Sequence, residues 1–433
     1  MTRRQKAEIL DVFGDVKSVG ELDYVSAWYK KATDFMKNTL IKTAFVSTNS
    51  ITQGQQAVTL WEPLLKTGIS INFAYRTFKW NNEARGKAAV HCVIISFSFV
   101  AVSHRYIFDD EITKSEVKQI NSYLVEAPNI FIHSRSKPLC NVPPMRFGSM
   151  PRDGGGFVLS DEEKATFLEK EPLAEKWVRP YIGSDEFINN RLRWCLWLVG
   201  ANPNEIKKCP MVLKRIEHVR TFRANSVAAG TRKFADIPTL FCQIAQPDTD
   251  YIIVPSVSSE RRKYIPIGFL SADTIVSNLA FMIPEATIYH FGILTSSVHN
   301  AWTRAVCGRL EMRYRYSKDI VYNNFPWLEV TDEQKTQIET LAQAILDARA
   351  KFPDSSLADL YDPLTMPPEL VKAHKELDRA VMKLYKFPIK NSTEATIVAG
   401  LMEMYQKLTT QPSLMPEPPK QVRKGRKEKG ECQ

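Results

Sequence analysis

Long apolar runs are missing from this sequence. Nowhere do its 433 residues approach the ~18 consecutive apolar side chains of a membrane-crossing helix. The opening MTRRQKAEIL holds no apolar signal core, so neither insertion nor secretion is supported and the expected compartment is the cytoplasm. The seven cysteines (92, 140, 195, 209, 242, 307 and 432) contain no C-x-x-C pair, which excludes the common zinc motifs and a disulfide scaffold. No metal site is expected. The seven histidines are dispersed, and neither an H-E-x-x-H pair nor a G-x-S-x-G nucleophile elbow occurs. Asn141-Val142-Pro143-Pro144-Met145 has the outline of an Asn-Pro-Pro catalytic turn, but it lacks the aromatic residue, follows no core strand and reads as a linker. No glycine-rich turn precedes Asp15, where a nucleotide-binding α/β fold usually carries one. The chain is therefore expected to start in mid-domain. There is no internal repeat.

What is present is a basic excess. Lys and Arg number 58 against 48 Asp and Glu, a formal charge of +10, and such a balance favours an anionic polymer as partner, nucleic acid first. The length predicts about three domains. Over residues 1 to about 105 helices and strands alternate. Leu22, Val25, Trp28, Tyr29, Ala32, Phe35 and Met36 recur at helical spacing. The strand TAFVS, a helix over about 53–65 and strands near 69–76 and 91–99 follow, which suggests half of a doubly wound sheet covered on both faces. From about 117 to 327 strands are short and prolines, aromatics and arginines interleave, as in an α+β domain. Helical spacing returns with Ile338, Leu341, Ala342, Ile345 and Leu346, then helices over about 369–385 and 393–408. The proline-rich, charged stretch 411–433 is expected to be a disordered basic tail.

Basic residues cluster in the middle region. Lys207, Lys208, Lys214, Arg215, Arg220, Arg223, Arg232 and Lys233 face only Glu205 and Glu217 over one short stretch. A second cluster sets Arg304, Arg309, Arg313 and Arg315 among Tyr314 and Tyr316. Guanidinium groups beside rings suit phosphate and base-edge contacts; the alternative is a solvated, salt-bridged face. Glu260, Arg261 and Arg262 precede a strand-like run, where the carboxylate either accepts from a cytosine amine, orients the arginines or belongs to an ordinary exposed loop. Gly154, Gly155 and Gly156 permit close approach of backbone to a phosphate or form a hairpin turn.

A family resemblance follows from longer runs. LDYVSAWYKKATDFM, IKTAFVSTNSITQGQQ and ISINFAYRTFKWNNEARGKAAVHCVIISF, then PPMRFGSMPRDGGG, SSERRKYIPIGFLS, GRLEMRYRYSKDIVYNNFPW and ILDARAKFPDSSLADLYDPLTMPPELVKAHKELDRAV, resemble in order the later part of MmeI-like adenine-specific DNA methyltransferases of type II restriction-modification systems. The resemblance covers about residues 22–387. It implies an α/β chain with three parts: a partial Rossmann-like methyltransferase sheet over 1–116, an α+β target-recognition domain over 117–328 and a helical C-terminal region over 329–410.

The same resemblance implies a chemistry. Double-stranded DNA is the partner, and a target adenine is flipped out of the duplex at a cost of a few kcal/mol so that its exocyclic amine meets the methyl of S-adenosylmethionine. Both the donor-binding glycine motif and the Asn-Pro-Pro-aromatic turn lie outside these residues, so an N-terminal methyltransferase fragment is an expected second partner. The competing class is a non-catalytic DNA-binding specificity module or a degenerate remnant. Within the chain, Ser47, Thr48 and Asn49 are expected to line the base pocket, with a helix cap by Thr48, Asn49, Ser50 or Thr52 as the alternative. Phe78 and Trp80 fall where the family places an aromatic that stacks on the flipped base, a core role being the alternative.

Overall fold

The computed structural model of the chain describes residues 1–80, 90–109 and 113–410; the tail expected to be disordered lies outside the described residues. Helix α1 (Arg3–Phe13) opens the chain, capped by a reciprocal pair in which Thr2 accepts from the Gln5 amide and Gln5 from the Thr2 amide. It was not legible in the sequence pattern. Helix α2 (Ser26–Met36) begins later than the apolar spacing suggests, after a single tight turn at Val19–Glu21.

Strand β1 (Lys42–Thr48), helix α3 (Gly54–Lys66), strand β2 (Ser70–Lys79) and strand β3 (His91–Ser98) match the expected alternation. With β4 (Arg105–Phe108) and β5 (Lys114–Val117) the strands form one sheet in the order β1-β3-β2-β4-β5. Strand β3 runs antiparallel to both β1 and β2, so β1–α3–β2 is a parallel crossover with β3 inserted between its strands. One sheet face is closed by the helices: Phe45 of β1, Ile71 and Ala74 of β2, Val93, Ile95 and Phe97 of β3 and Ile107 of β4 meet Tyr29, Leu60, Trp61 and Leu64. Trp61 and Phe97 are fully buried there, each contributing about 1.5–3 kcal/mol by leaving water.

The other face differs from expectation. Val46, Phe73, Tyr75, Ile94, Tyr106 and Phe108 stay exposed or half-exposed, so the sheet is covered on one side only by the described residues. Trp28 and Phe35, placed by spacing on the buried stripe of α2, are exposed as well. Helical period located the stripe but not its width: Ser26, Ala27, Tyr29, Thr33 and Met36 are the residues α2 buries.

The middle region divides among three cores, the smallest of them Tyr251, Ile253, Val276, Ala280 and Met282. Phe157, Leu159, Phe167, Trp177, Tyr181, Cys195, Val212, Val219, Phe241 and Ile275 pack together as one. A third set, including Ile252, Phe281, Trp302, Tyr314 and Phe325, shares a core with Ile338, Ala342, Leu370, Leu377 and Leu401 of the C-terminal helices. Those helices, Asp332–Ala350, Pro368–Leu384 and Glu394–Thr410, therefore back the middle region rather than forming a lobe of their own. Ala57 of α3 also enters this core, which fastens the first sheet to the second half of the chain. Among the described residues no helix is long and apolar enough to cross a membrane, and no cluster of His, Cys, Asp or Glu is able to hold a metal.

Candidate nucleic-acid interface

Strand register brings the expected pocket residues to one end of the first sheet. Thr48 and Phe78, thirty residues apart, both pair with Cys92, so at a strand spacing of ~4.8 Å they stand about 10 Å from each other. This is the carboxyl end of the parallel pair β1 and β2, the end where α/β sheets bind ligands. The Asn49 amide donates to Thr77 Oγ1 (3.3 Å), tying the end of β1 to β2 one residue before Phe78. Thr48 and Ser50 share a hydroxyl contact of 3.0 Å, and Ser50 donates to the Asp23 carboxylate.

Ser47 stands at that end but on the opposite face of the sheet. Its hydroxyl shares a 2.8 Å hydrogen bond with the buried Tyr29 hydroxyl on the helix-covered face, and burial pushes Tyr29 up to about 12. Alternation along β1 put Ser47 inward with Phe45, so it is a core residue and not a pocket wall. The helix-cap alternative also fails. Helix α3 begins at Gly54 with Gln53 as its cap residue and no side-chain cap bond, while Thr52 turns back to donate to the Asn49 carbonyl (2.9 Å). These polar residues close a single tight turn, Asn49–Thr52, that holds the strand end. Phe78 is half-buried and Trp80 is 46% exposed, their rings 6.4 Å apart. The Trp80 amide donates to the Val90 carbonyl (2.8 Å), which anchors the base of the β2–β3 connection.

The RYRY spacing folds into a hairpin. Gly308–Leu310 pairs with Arg313–Arg315, which pairs in turn with Val257–Ser258. Period two sends Tyr314 inward and leaves Arg313 and Arg315 exposed on either side of it. Arg309 lies with its guanidinium carbon 3.9 Å over the Tyr314 ring and donates to the Arg304 carbonyl (3.3 Å), so it stiffens the hairpin. Arg313 reaches Glu311 (3.0 Å) across a turn in which Glu311 takes a φ of 57°. No acidic side chain among the described residues pairs with Arg315.

This hairpin touches the pocket end directly. Gly54 has φ +52°, and a Cβ there would stand 3.3 Å from the Gly308 Cα and amide nitrogen. Gly54→Ala is therefore expected to cost about 1–2 kcal/mol in backbone strain and to lever the hairpin away from α3. A urea midpoint unchanged from wild type would refute this.

The other arginines have mostly structural employment. Arg304 is held by Glu394 of the last helix (2.8 Å) and donates to the Lys263 carbonyl (2.8 Å). Arg261 is exposed and 3.9 Å from Asp362; Arg262 is half-buried, and burial holds its guanidinium below the ordinary value. Glu260, Arg261, Arg262, Lys263, Arg304 and Tyr314 line one open cavity of about 340 Å³, which sets the 260–262 cluster beside the hairpin. Arg220 is exposed and paired with Glu217 (3.3 Å). Arg215 donates to the Gly156 carbonyl (2.9 Å) and lies over Phe167.

Arg223 is a correction. It is 0% exposed and donates to the carbonyls of Pro151, Arg152, Phe234, Ile237 and Leu240 at 2.7–3.2 Å, so no group remains for DNA. The glycine run is likewise closed by its neighbours. Asp153 accepts from the Phe157 amide (2.6 Å), and His218 meets the Gly154 carbonyl (2.9 Å). Residues missed at the sequence level are Lys263 in the basic cavity, Thr77 behind Asn49 and the Gly54–Gly308 contact, none of which carried a local signal.

Comparison with known proteins follows this layout. Family models match along the chain: MmeI, DNA-methyltransferase domain, over 1–109; MmeI, target recognition domain, over 126–329; and MmeI, C-terminal domain, over 330–413. DNA methyltransferase A of Bacillus subtilis (strain 168) is 43% identical over 408 residues, 94% of this chain and 46% of the relative. The structure of the type IIL restriction-modification enzyme MmeI in complex with DNA superposes with a TM-score of 0.87 at 50% identity, covering 94% of this chain and 55% of that one. The chain thus spans about half the length of the relatives it matches.

Proposed function

Because the chain belongs to the MmeI family of restriction-modification DNA methyltransferases, we propose that it grips duplex DNA through the arginine hairpin and receives an extruded adenine at the polar sheet end beside it. The observation that carries this reading is the Gly54–Gly308 contact, which joins the hairpin to the end of β1. In this reading residues 1–116 are the C-terminal part of the catalytic domain, 117–328 read DNA and 329–410 support the reader. A cytoplasmic location accompanies it.

Each group has a physical task. Arg313 and Arg315 are the exposed guanidinium pair, with Arg309 and Tyr314 fixing the strand that presents them. Arg261, Arg262 and Lys263 add positive charge along the adjoining cavity, where phosphate contacts set position and affinity without sequence information. Trp80, and Phe78 behind it, stack on the extruded base, a contact worth roughly 1–3 kcal/mol that offsets part of the flipping cost. Thr48 and Asn49 offer polar groups at the rim.

Methyl transfer from S-adenosylmethionine to the adenine amine is the activity proposed for the complete assembly. The described residues do not fit the donor itself. The turn after β1 is polar and tight, and its one positive-φ glycine, Gly54, is filled by Gly308. No step involving the donor is assigned to these residues, and an N-terminal methyltransferase fragment is the proposed source of its site. Calorimetry of the purified chain with S-adenosylmethionine tests this: micromolar binding would contradict it.

DNA binding by the chain is expected to weaken linearly in log–log terms with salt, with a slope of about −0.9 per phosphate neutralised. Arg315→Ala is expected to cost about 1–3 kcal/mol of affinity, and Arg313→Ala a similar amount. Duplex titrations at several salt concentrations measure both. Wild-type curves for the two variants would remove the hairpin from the interface.

A further inference from the structure

The first basic cluster has a tip that none of the roles above uses. Between Glu217 and Asp236 the sequence holds no acid but four cations, Arg220, Arg223, Arg232 and Lys233. Arg223 is taken up by the core. The loop 225–228 joins the helix Pro210–Ala224 to the short helix Ala229–Arg232, and it carries Val227 at 98% exposure, more than any other large apolar side chain among the described residues.

That exposure is held in place from both sides. Arg232 Nη1 donates to the Ser226 and Val227 carbonyls (2.7 and 2.9 Å), and the Ala228 carbonyl accepts from the Thr231 and Arg232 amides (2.9 and 3.1 Å). On the other flank Arg152, at a φ of 46°, donates to Thr231 Oγ1 (3.3 Å); a non-glycine residue in that region is uncommon, and such residues cluster at functional sites. Arg223 pins the Arg152 and Phe234 carbonyls on either side of the loop. Arg152, Arg232 and Lys233 are exposed, and none has an acidic partner among the described residues.

A short path of backbone ties this loop to the arginine hairpin. Val257–Ser258 pairs with the hairpin, the adjacent Ser256 hydroxyl donates to the Leu279 carbonyl, the Asn278 amide donates to the Ser149 carbonyl (3.1 Å), and Arg152 follows three residues on. The chemistry of the tip then selects its ligand. Cations without acids favour a polyanion. The carbonyls of 226–228 are already engaged, so the tip presents an apolar side chain, and the apolar group on the base edges of the major groove is the thymine C5-methyl. The minor groove offers no methyl, and the side chains that wedge between base steps are longer or flatter than valine.

We propose that Val227 is a specificity-determining contact for a C5-methyl pyrimidine. The braced loop sets it on a thymine methyl in the major groove, while Arg152, Arg232 and Lys233 hold the flanking phosphates. The proposal rests on the duplex-binding reading above and deepens it by naming a base group that guanidinium hydrogen bonds do not read.

The test uses the full chain and, as probe, a duplex that the chain selects from a random pool, with each thymine exchanged in turn for deoxyuridine. This exchange removes the C5-methyl alone. At one position it is expected to weaken wild-type binding about fourfold, the worth of one buried methyl group. Val227→Ala is expected to lose most of that ratio at an unchanged urea midpoint, as an exposed side chain away from the core. Arg315→Ala is expected to lower both affinities alike and keep the ratio. A scan without any methyl-dependent thymine, or a methyl effect of equal size in Val227→Ala, overturns the contact and leaves the duplex-binding reading standing. A chain that enriches no duplex from the pool even at low salt removes that reading and the contact with it.

Discussion

Between pH 6.5 and pH 5 the chain is expected to lose about 2 kcal/mol of folding stability from His299, which the core holds neutral, with His374 acting in the same direction. His299 is 2% exposed; its Nδ1 donates to the Leu294 carbonyl (3.1 Å) and its Nε2 accepts from the Tyr316 hydroxyl (3.2 Å), and burial pushes it down to about 3. His374 is fully buried, stacked on Tyr264 at 4.0 Å, with the Tyr361 hydroxyl on its Nε2 (2.8 Å). Burial, then the charges of Arg349 and Lys263, hold it well below the usual histidine range. Unfolded histidine takes a proton near pH 6.5. Below that pH the unfolded chain binds protons that the folded chain refuses, so stability falls on acidification by about 1.4 kcal/mol per pH unit for each group, and above pH 6.5 neither contributes. The window extends down towards the folded values.

His290, which burial pushes down to about 4, acts in the same direction. Asp378 opposes it at the acid end: burial raises its carboxyl, so the folded state accepts that proton first. Against a total stability of roughly 5–15 kcal/mol, a loss of this size is a measurable fraction. Urea midpoints at pH 7 and pH 5 measure it. His299→Gln is expected to shrink the difference by about 2 kcal/mol whatever its own effect at neutral pH; an equal midpoint at both pH values would refute the assignment.

Those buried histidines show where sequence reading stops. Period and apolar content placed α3, β1, β2, β3 and the C-terminal helices within a few residues, because each buries one regular face. The family resemblance placed Ser47 in the pocket, and the basic run placed Arg223 on DNA, since an arginine in a basic run is ordinarily exposed. In both cases tertiary contact decides: Tyr29 meets Ser47, and five carbonyls surround Arg223. The hairpin was legible in part, because RYRY alternates at strand period. Its position was not, because Gly54 and Gly308 lie 254 residues apart and nothing local to either records the other. The open sheet face was hidden for a similar reason, as apolar strands read alike whether or not a helix covers them.

Arg223→Ala is expected to destabilise the chain by about 3–5 kcal/mol, because several buried carbonyls lose a charged donor at once. The guanidinium reaches two separate loops: Pro151 and Arg152 before the glycine turn, and Phe234, Ile237 and Leu240 after the helix Pro210–Ala224. Removing it strips a donor from five carbonyls at once, and each loses a bond to a charged donor worth about 1.5–3 kcal/mol before relaxation and water entry return part of it. Arg223→Lys keeps the charge but offers three donors on one atom in place of a planar fork, so it is expected to fall between alanine and wild type. Denaturant unfolding at constant slope measures the loss, and limited proteolysis should show cleavage opening near 150–156 and 234–240. A DNA-contacting Arg223 makes the opposite prediction. Its alanine variant would keep the wild-type midpoint and lower the salt slope of duplex binding by about one, whereas a structural pin moves the midpoint and leaves the slope of the folded fraction where it was.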